Sequence, residues 1–204
     1  MGIDRRRHAA APRIVAAFGL ALLVAACTKG AGHEKFEYID ITGVGIGGDF
    51  KLADHRGEPR SLVDFRAKVV AVFFGYTHCP DACPIALAEL AQTVAQLGKQ
   101  GEEVQVLFIT VDPARDTPKV LAQYVPAFDR RFLGLYGDPE TTGRVAAAYK
   151  VFFAAQKPNA SGNYAVDHTA ALFLVDRRGR PRLYVGGART VSGMVHDIRL
   201  LLNE

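Results

Sequence analysis

From Val69 to Gly75 the chain runs through β-branched, aromatic and small residues with no polar face, which predicts a strand buried on both sides. The period then changes. Ile85, Leu87, Leu90, Val94 and Leu97 recur at helical spacing, predicting a helix from Pro84 to Leu97, and Val104 to Val111 reads as a second buried strand. A helix joining two such strands implies parallel pairing in a right-handed βαβ unit. Asp116 or Thr117 ahead of Pro118 predicts a helix to about Ala127, Phe132 to Tyr136 a short strand, and Asp138-Pro139 a helix to about Tyr149. Beyond it come Val151 to Ala154, a turn at Lys157 to Asn163, Tyr164 to Asp167, Ala171 to Val175, a turn at Asp176-Arg177-Arg178-Gly179, Arg182 to Val185, and a closing helix from Ser192 to Leu202. Upstream, Asp49 to Ala53 and Pro59 to Leu62 flank Asp54-His55-Arg56-Gly57 as a hairpin.

A βαβ unit followed by a hairpin and a last helix is a thioredoxin-like plan. The expectation is an α/β fold over residues 49–204, with a central mixed sheet flanked by helices and an N-terminal β-hairpin. No internal repeat and no second domain is visible. In this plan the loop from the first core strand to its helix is an exposed functional corner. Here it reads Thr77-His78-Cys79-Pro80-Asp81-Ala82-Cys83-Pro84.

Two cysteines four positions apart on a helical turn have Cβ atoms about 5–6 Å apart, near enough to share a metal ion or, after adjustment, to form a disulfide. The spacing alone does not choose. Pro84 belongs in the first turn of a helix, so Cys83 is expected at its N-terminal edge, where the helix dipole and free N–H groups would lower a thiol pKa. A purely structural disulfide is the plainer alternative, but so small a loop gains little entropy from closure.

The front of the chain changes the context. Arg5, Arg6 and Arg7 precede an apolar run from Ile14 to Ala26 that ends in Val24-Ala25-Ala26-Cys27, the layout of a secretory signal. Its 13 residues fall short of the about 20 a spanning helix needs. The ending resembles a bacterial lipobox, which would make residues 1–26 a lipoprotein-type signal, Cys27 a lipidated first residue, and glycine-rich 27–48 a flexible tether, although Phe36 to Ile41 has the makings of an added strand. The expected location is the periplasmic side of a bacterial envelope, lipid-anchored to a membrane surface. Removing residues 1–26 takes away Arg5, Arg6, Arg7, Arg13 and Asp4 and lowers the formal charge from +4 to +1, so composition gives no case for nucleic acid. With Cys27 assigned to lipid, Cys79 and Cys83 are left as each other's partners in an oxidising compartment.

Among the histidines, His33, His55 and His196 read as ordinary surface or packed residues, and His78 as at most a neighbour of the cysteines. His168 differs. It lies in Tyr164-Ala165-Val166-Asp167-His168-Thr169, on the loop that the fold brings against the cysteine corner, where thioredoxins keep a proline and this chain has none. Two soft thiolates and one imidazole suit trigonal Cu(I) better than a closed four-ligand zinc site.

On the motifs Thr77 to Pro84, Val111-Asp112-Pro113-Ala114-Arg115-Asp116-Thr117-Pro118 and Val166-Asp167-His168-Thr169, the chain resembles the Sco/SenC family of copper-delivery proteins from about Asp40 to its end. The resemblance implies copper ligands at Cys79, Cys83 and His168, binding of Cu(I) with Cu(II) as a second state, and delivery to the dinuclear copper centre of cytochrome c oxidase. It assigns no ligand to the middle motif, which reads as a turn and a helix cap. Two departures stand out: a lipobox where members commonly have a transmembrane helix, and Ala67 where many have glycine. The enzyme-class alternative is a thiol-disulfide oxidoreductase in which Cys79 attacks and Cys83 resolves. A peroxiredoxin-type peroxidase fits less well, because Tyr76 stands where those enzymes carry Thr or Ser.

Overall fold

The structure is a computed structural model and describes residues 1–2 and 35–204; Cys27, the signal-like stretch and His33 lie outside the described residues. Residues 35–204 form one compact unit. Among the described residues no helix is long and apolar enough to cross a membrane.

The sheet is built around β4 (Val69–Gly75), which is parallel to β5 (Val104–Thr110) on one side and antiparallel to β9 (Leu172–Val175) on the other. Outward on the β5 side lie β6 (Leu133–Tyr136), parallel to β5, and the hairpin of β2 (Leu52–Asp54) and β3 (Pro59–Arg60); outward on the β9 side lie β10 (Pro181–Val185) and β1 (Ile39–Asp40). This is the expected thioredoxin-like mixed sheet. Alternate side chains feed opposite faces, as a period of two requires. Val69, Ala71 and Phe73 pack beneath α1 (Ala82–Gln96) and α4 (Val191–Leu202), while Val70, Val72 and Phe74 pack against α3 (Pro139–Ala148). A short α2 (Pro118–Tyr124) precedes β6.

Helix starts follow their caps. Thr117, Asp138 and Thr190 each accept a backbone N–H from the first turn, and Pro118 and Pro139 occupy the first helical position where no N–H is needed. Helix α1 begins earlier than the sequence predicts. Its first i→i−4 bond runs from Ile85 N–H to the Asp81 carbonyl, so Pro84 sits third in the helix, still within the turn whose N–H groups have no helical partner.

Within residues 36–41, Ile39 and Asp40 take the strand option noted above. β1 pairs with β10, and the Glu37 and Tyr38 N–H groups donate to the buried Asp197 carboxylate of α4 at 2.9 and 3.0 Å. These contacts fix the start of the domain to its last helix.

Ala67 has φ = 68° in the turn before β4, held by its N–H to the Arg177 carbonyl at 2.9 Å. The left-handed conformation costs a side-chain-bearing residue about 1–2 kcal/mol. Glycine removes that cost but adds about 0.4–1 kcal/mol of unfolded-state entropy. Ala67→Gly is therefore expected to raise stability by about 0.5–1 kcal/mol, read from the urea midpoint.

Candidate metal centre

Strand β4 ends at Gly75, and the chain turns through Tyr76, Thr77 and His78 to deliver Cys79 just outside the sheet and Cys83 onto the second residue of α1. Cys83 is buried and Cys79 partly exposed, and both are free thiols rather than the pair expected for an oxidising compartment. The Cys79 sulfur accepts the Cys83 N–H at 3.4 Å, so the thiol occupies one of the helix's unpaired donors. Gly75 leaves the space for Cys83: a Cβ there would lie 2.7 Å from the Cys83 sulfur and 2.8 Å from the Phe108 ring. Gly75→Ala is expected to cost about 1–3 kcal/mol by overpacking. Urea denaturation gives the cost, and a changed alkylation rate at Cys83 reports the displaced sulfur.

His168 arrives from the other direction. It is the last residue of β8 (Val166–His168), which pairs with β7 (Phe153–Ala155) in a separate two-stranded sheet. Its Nε2 lies 3.6 Å from the Cys83 sulfur, and its Nδ1 faces the Val166 carbonyl at 3.1 Å. A proton on Nδ1 donated to that carbonyl leaves the Nε2 lone pair directed at the sulfur. The Tyr76 ring meets the imidazole edge to face at a centroid distance of 5.3 Å. Structure thus brings Cys83 and His168 together, with Cys79 one hydrogen bond away from Cys83. Among the described residues, no group of three or more His, Cys, Asp and Glu side chains is gathered as a closed metal cage.

The donor set nevertheless fits a soft ion. With zinc bond lengths as a guide, about 2.3 Å to sulfur and 2.0 Å to imidazole nitrogen, two ligands of one ion stand about 3.5–3.8 Å apart, which matches the Cys83–His168 separation. The expected lowering of the Cys83 thiol pKa is corrected. Burial pushes it well above the ordinary cysteine range, with Cys79 and Asp116 nearby adding to the rise and a hydrogen bond to the Tyr76 backbone opposing it. Removal of the sulfur from water outweighs the favourable end of the helix.

The middle motif does more than turn and cap. The fully buried Asp116 accepts the Thr77 N–H at 3.0 Å, the Thr77 hydroxyl at 2.5 Å and the Thr110 hydroxyl at 2.6 Å, which fixes the start of the cysteine loop to the end of β5. Asp112 accepts the Arg115 Nε–H at 2.5 Å and the Tyr164 hydroxyl at 2.9 Å. The Arg115 guanidinium lies 3.5 Å over the Tyr164 ring and donates to the Tyr164 carbonyl at 2.8 Å. Asp112, Arg115 and Tyr164 therefore clasp the segment leading into β8, and with it His168. The sequence signal was present in two buried-strand-adjacent aspartates with an arginine between them, but the partners that tie them to the site, Thr77 and Tyr164, lie 39 and 52 positions away. Of the other histidines, His78 is exposed with Nδ1 3.7 Å from Asp116, His55 is buried and accepts the Gly134 N–H at 3.1 Å, and His196 contacts Asp197. The imidazole seen in contact with a cysteine sulfur is that of His168.

A family model described as SCO1/SenC matches residues 41–203. The bovine "Protein SCO2 homolog, mitochondrial" is 40% identical over 173 residues, covering 84% of this chain and 65% of its own length, so the chain spans just under two thirds of that relative. The copper-bound ScoI of Bradyrhizobium japonicum is 38% identical with a TM-score of 0.70, covering 76% of this chain and 99% of that one. The apo Sco1 of Thermus thermophilus is 37% identical with a TM-score of 0.74, covering 83% and 99%. With nearly all of its described domain inside that match, and its cysteine corner and histidine hairpin built on the same fold, the chain belongs to the SCO1/SenC family.

Proposed function

We propose that the protein is a membrane-tethered copper carrier that takes copper on Cys79, Cys83 and His168 and hands it to the subunit of cytochrome c oxidase that carries the dinuclear copper centre. The observation that carries this reading is the 3.6 Å approach of His168 Nε2 to the Cys83 sulfur, with Nδ1 engaged elsewhere. Cys79 completes the set by leaving the Cys83 amide, a small side-chain rotation at the exposed edge of the site. The cargo is Cu(I), held by two thiolates and an imidazole, with Cu(II) as a second state. Binding releases the thiol protons of Cys79 and Cys83, and oxidation of the pair to a disulfide abolishes it. Copper in the Bradyrhizobium neighbour accords with this donor chemistry. The tether is a lipid on Cys27 and the location the periplasmic side of a bacterial envelope, in keeping with the lipobox-like Val24-Ala25-Ala26-Cys27.

The test is transfer. Reduced, Cu(I)-loaded protein mixed with the copper-free soluble domain of the oxidase subunit is expected to generate the acceptor's dinuclear copper absorption. An acceptor that free copper fills but the loaded protein does not would exclude delivery.

A second reading rests on the asymmetry of the sulfurs, since Cys79 is the accessible one and accepts an amide hydrogen bond. Its thiolate would attack an acceptor disulfide to form a mixed disulfide and release one acceptor thiolate; the Cys83 thiolate then displaces the second, leaving a Cys79–Cys83 disulfide and an acceptor dithiol. His168→Ala separates the readings, because it removes a copper ligand and leaves this exchange intact.

A further inference from the structure

The opposite pole of the sheet carries a cluster of basic side chains. There the N-terminal ends of β4, β5 and β6 meet the β2–β3 hairpin around an open cavity of about 450 Å³ lined by Arg56, Arg60, Lys68, Arg130 and Arg131. Two of these cations are held in place from behind. Arg60 donates to the buried Asp54 carboxylate at 2.9 Å, and Arg131 donates to both oxygens of Asp129, at 2.9 and 2.5 Å, and reaches the Gly101 carbonyl. Asp64, the acid on the rim, is occupied at 2.7 Å by the Ser61 N–H in the cap of the 3-10 turn that follows β3. Arg56, Lys68 and Arg130 have no carboxylate partner among the described residues. Five cations against Asp54, Asp64, Asp129 and Glu102, the last acting on Arg131 from outside the lining, leave an excess of one positive charge.

We propose that this cavity binds a phosphate group, free or in the headgroup of an anionic phospholipid. Arg60, fixed through Nε alone, keeps its two Nη groups for the paired donation that phosphate oxygens accept, Arg131 adds fixed charge with its fork on Asp129, and the three unpaired side chains supply the compensating charge. Aggregation guarding at the sheet edge explains exposed cations singly, but not their convergence on one concave space from the β2–β3 hairpin, the segment before β4 and the segment before β6. β4 is seven residues long, so about 20 Å of strand separates this pole from Cys83 and His168. Both sites are therefore free to be filled together, and a phosphate-bearing surface held here leaves the cysteine corner facing away from it. The inference does not depend on the copper reading.

The test uses the compact unit of residues 35–204, which lacks the proposed lipid site, as wild type, as the triple variant Arg56→Gln/Lys68→Gln/Arg130→Gln, which spares the ion-paired arginines, and as the control Lys119→Gln/Lys157→Gln/Arg199→Gln, which removes equal charge from exposed positions elsewhere. One arm titrates inorganic phosphate by calorimetry. The other measures flotation with phosphatidylcholine vesicles against vesicles containing phosphatidylglycerol. The cavity variant is expected to lose binding about 10- to 100-fold in at least one arm while the control keeps it, at about a tenfold effect or less per charge. Loss in the first arm identifies a soluble phosphate ligand; loss confined to the second identifies the headgroup. Equal losses in the two triple variants, or no binding in either arm by the wild type, overturn the proposal. Copper titration of the cavity variant should match wild type, so its failure would be distinguishable from failure of the metal site.

Discussion

Replacing His168 by alanine is expected to weaken Cu(I) binding by at least about 100-fold, beyond the about 10- to 100-fold that loss of an outer partner costs a metal site. The reason is geometric. His168 contributes the nitrogen 3.6 Å from the Cys83 sulfur, and the histidines elsewhere on the domain lie against Asp116, Gly134 and Asp197 instead. The fold should survive, because His168 ends a short outlying strand and is only half-buried. Competition with a chromogenic Cu(I) chelator reads the affinity, and thermal unfolding of the copper-free variant reads the fold. Cys83→Ser is expected to lose copper at least as severely. A His168→Ala protein that holds copper within threefold of wild type would remove the imidazole from the account.

Asp116→Ala is expected to cost about 3–5 kcal/mol, the scale for breaking a buried charged network. Three donors lose their acceptor at once: the Thr77 N–H, the Thr77 hydroxyl and the Thr110 hydroxyl. For a chain of this size that is a fall of roughly 6–20 °C in melting temperature. Thr77 starts the loop that carries Cys79, so copper affinity should fall as well although Asp116 touches no proposed ligand. Asp116→Asn, which keeps the shape and one acceptor oxygen, should show a smaller loss of both. A melting temperature within 2 °C of wild type for the alanine variant would mean that the carboxylate does not hold the loop.

The fold was largely legible because its central strands have no polar face and two of its helices carry Thr-Pro and Asp-Pro starts that admit few alternatives. Two features were hidden by distance along the chain. The strand at Ile39–Asp40 exists through pairing with Tyr184 and Leu183, and the hairpin bearing His168 is held by a clasp from Asp112 and Arg115. Read locally, Val111 to Pro118 is a turn and a cap, and it is both; what its side chains reach depends on tertiary packing. The thiol chemistry failed for a different reason. Position at a helix start favours a thiolate, but the sequence does not say how completely the core encloses Cys83, and burial prevails.

X-ray absorption at the copper edge of the reduced, Cu(I)-loaded protein tests the ligand set most directly. Two sulfur scatterers with one imidazole, the imidazole signature vanishing in His168→Ala, is the predicted result. A sulfur-only shell in the wild type, or an imidazole signature that persists in the variant, would contradict it.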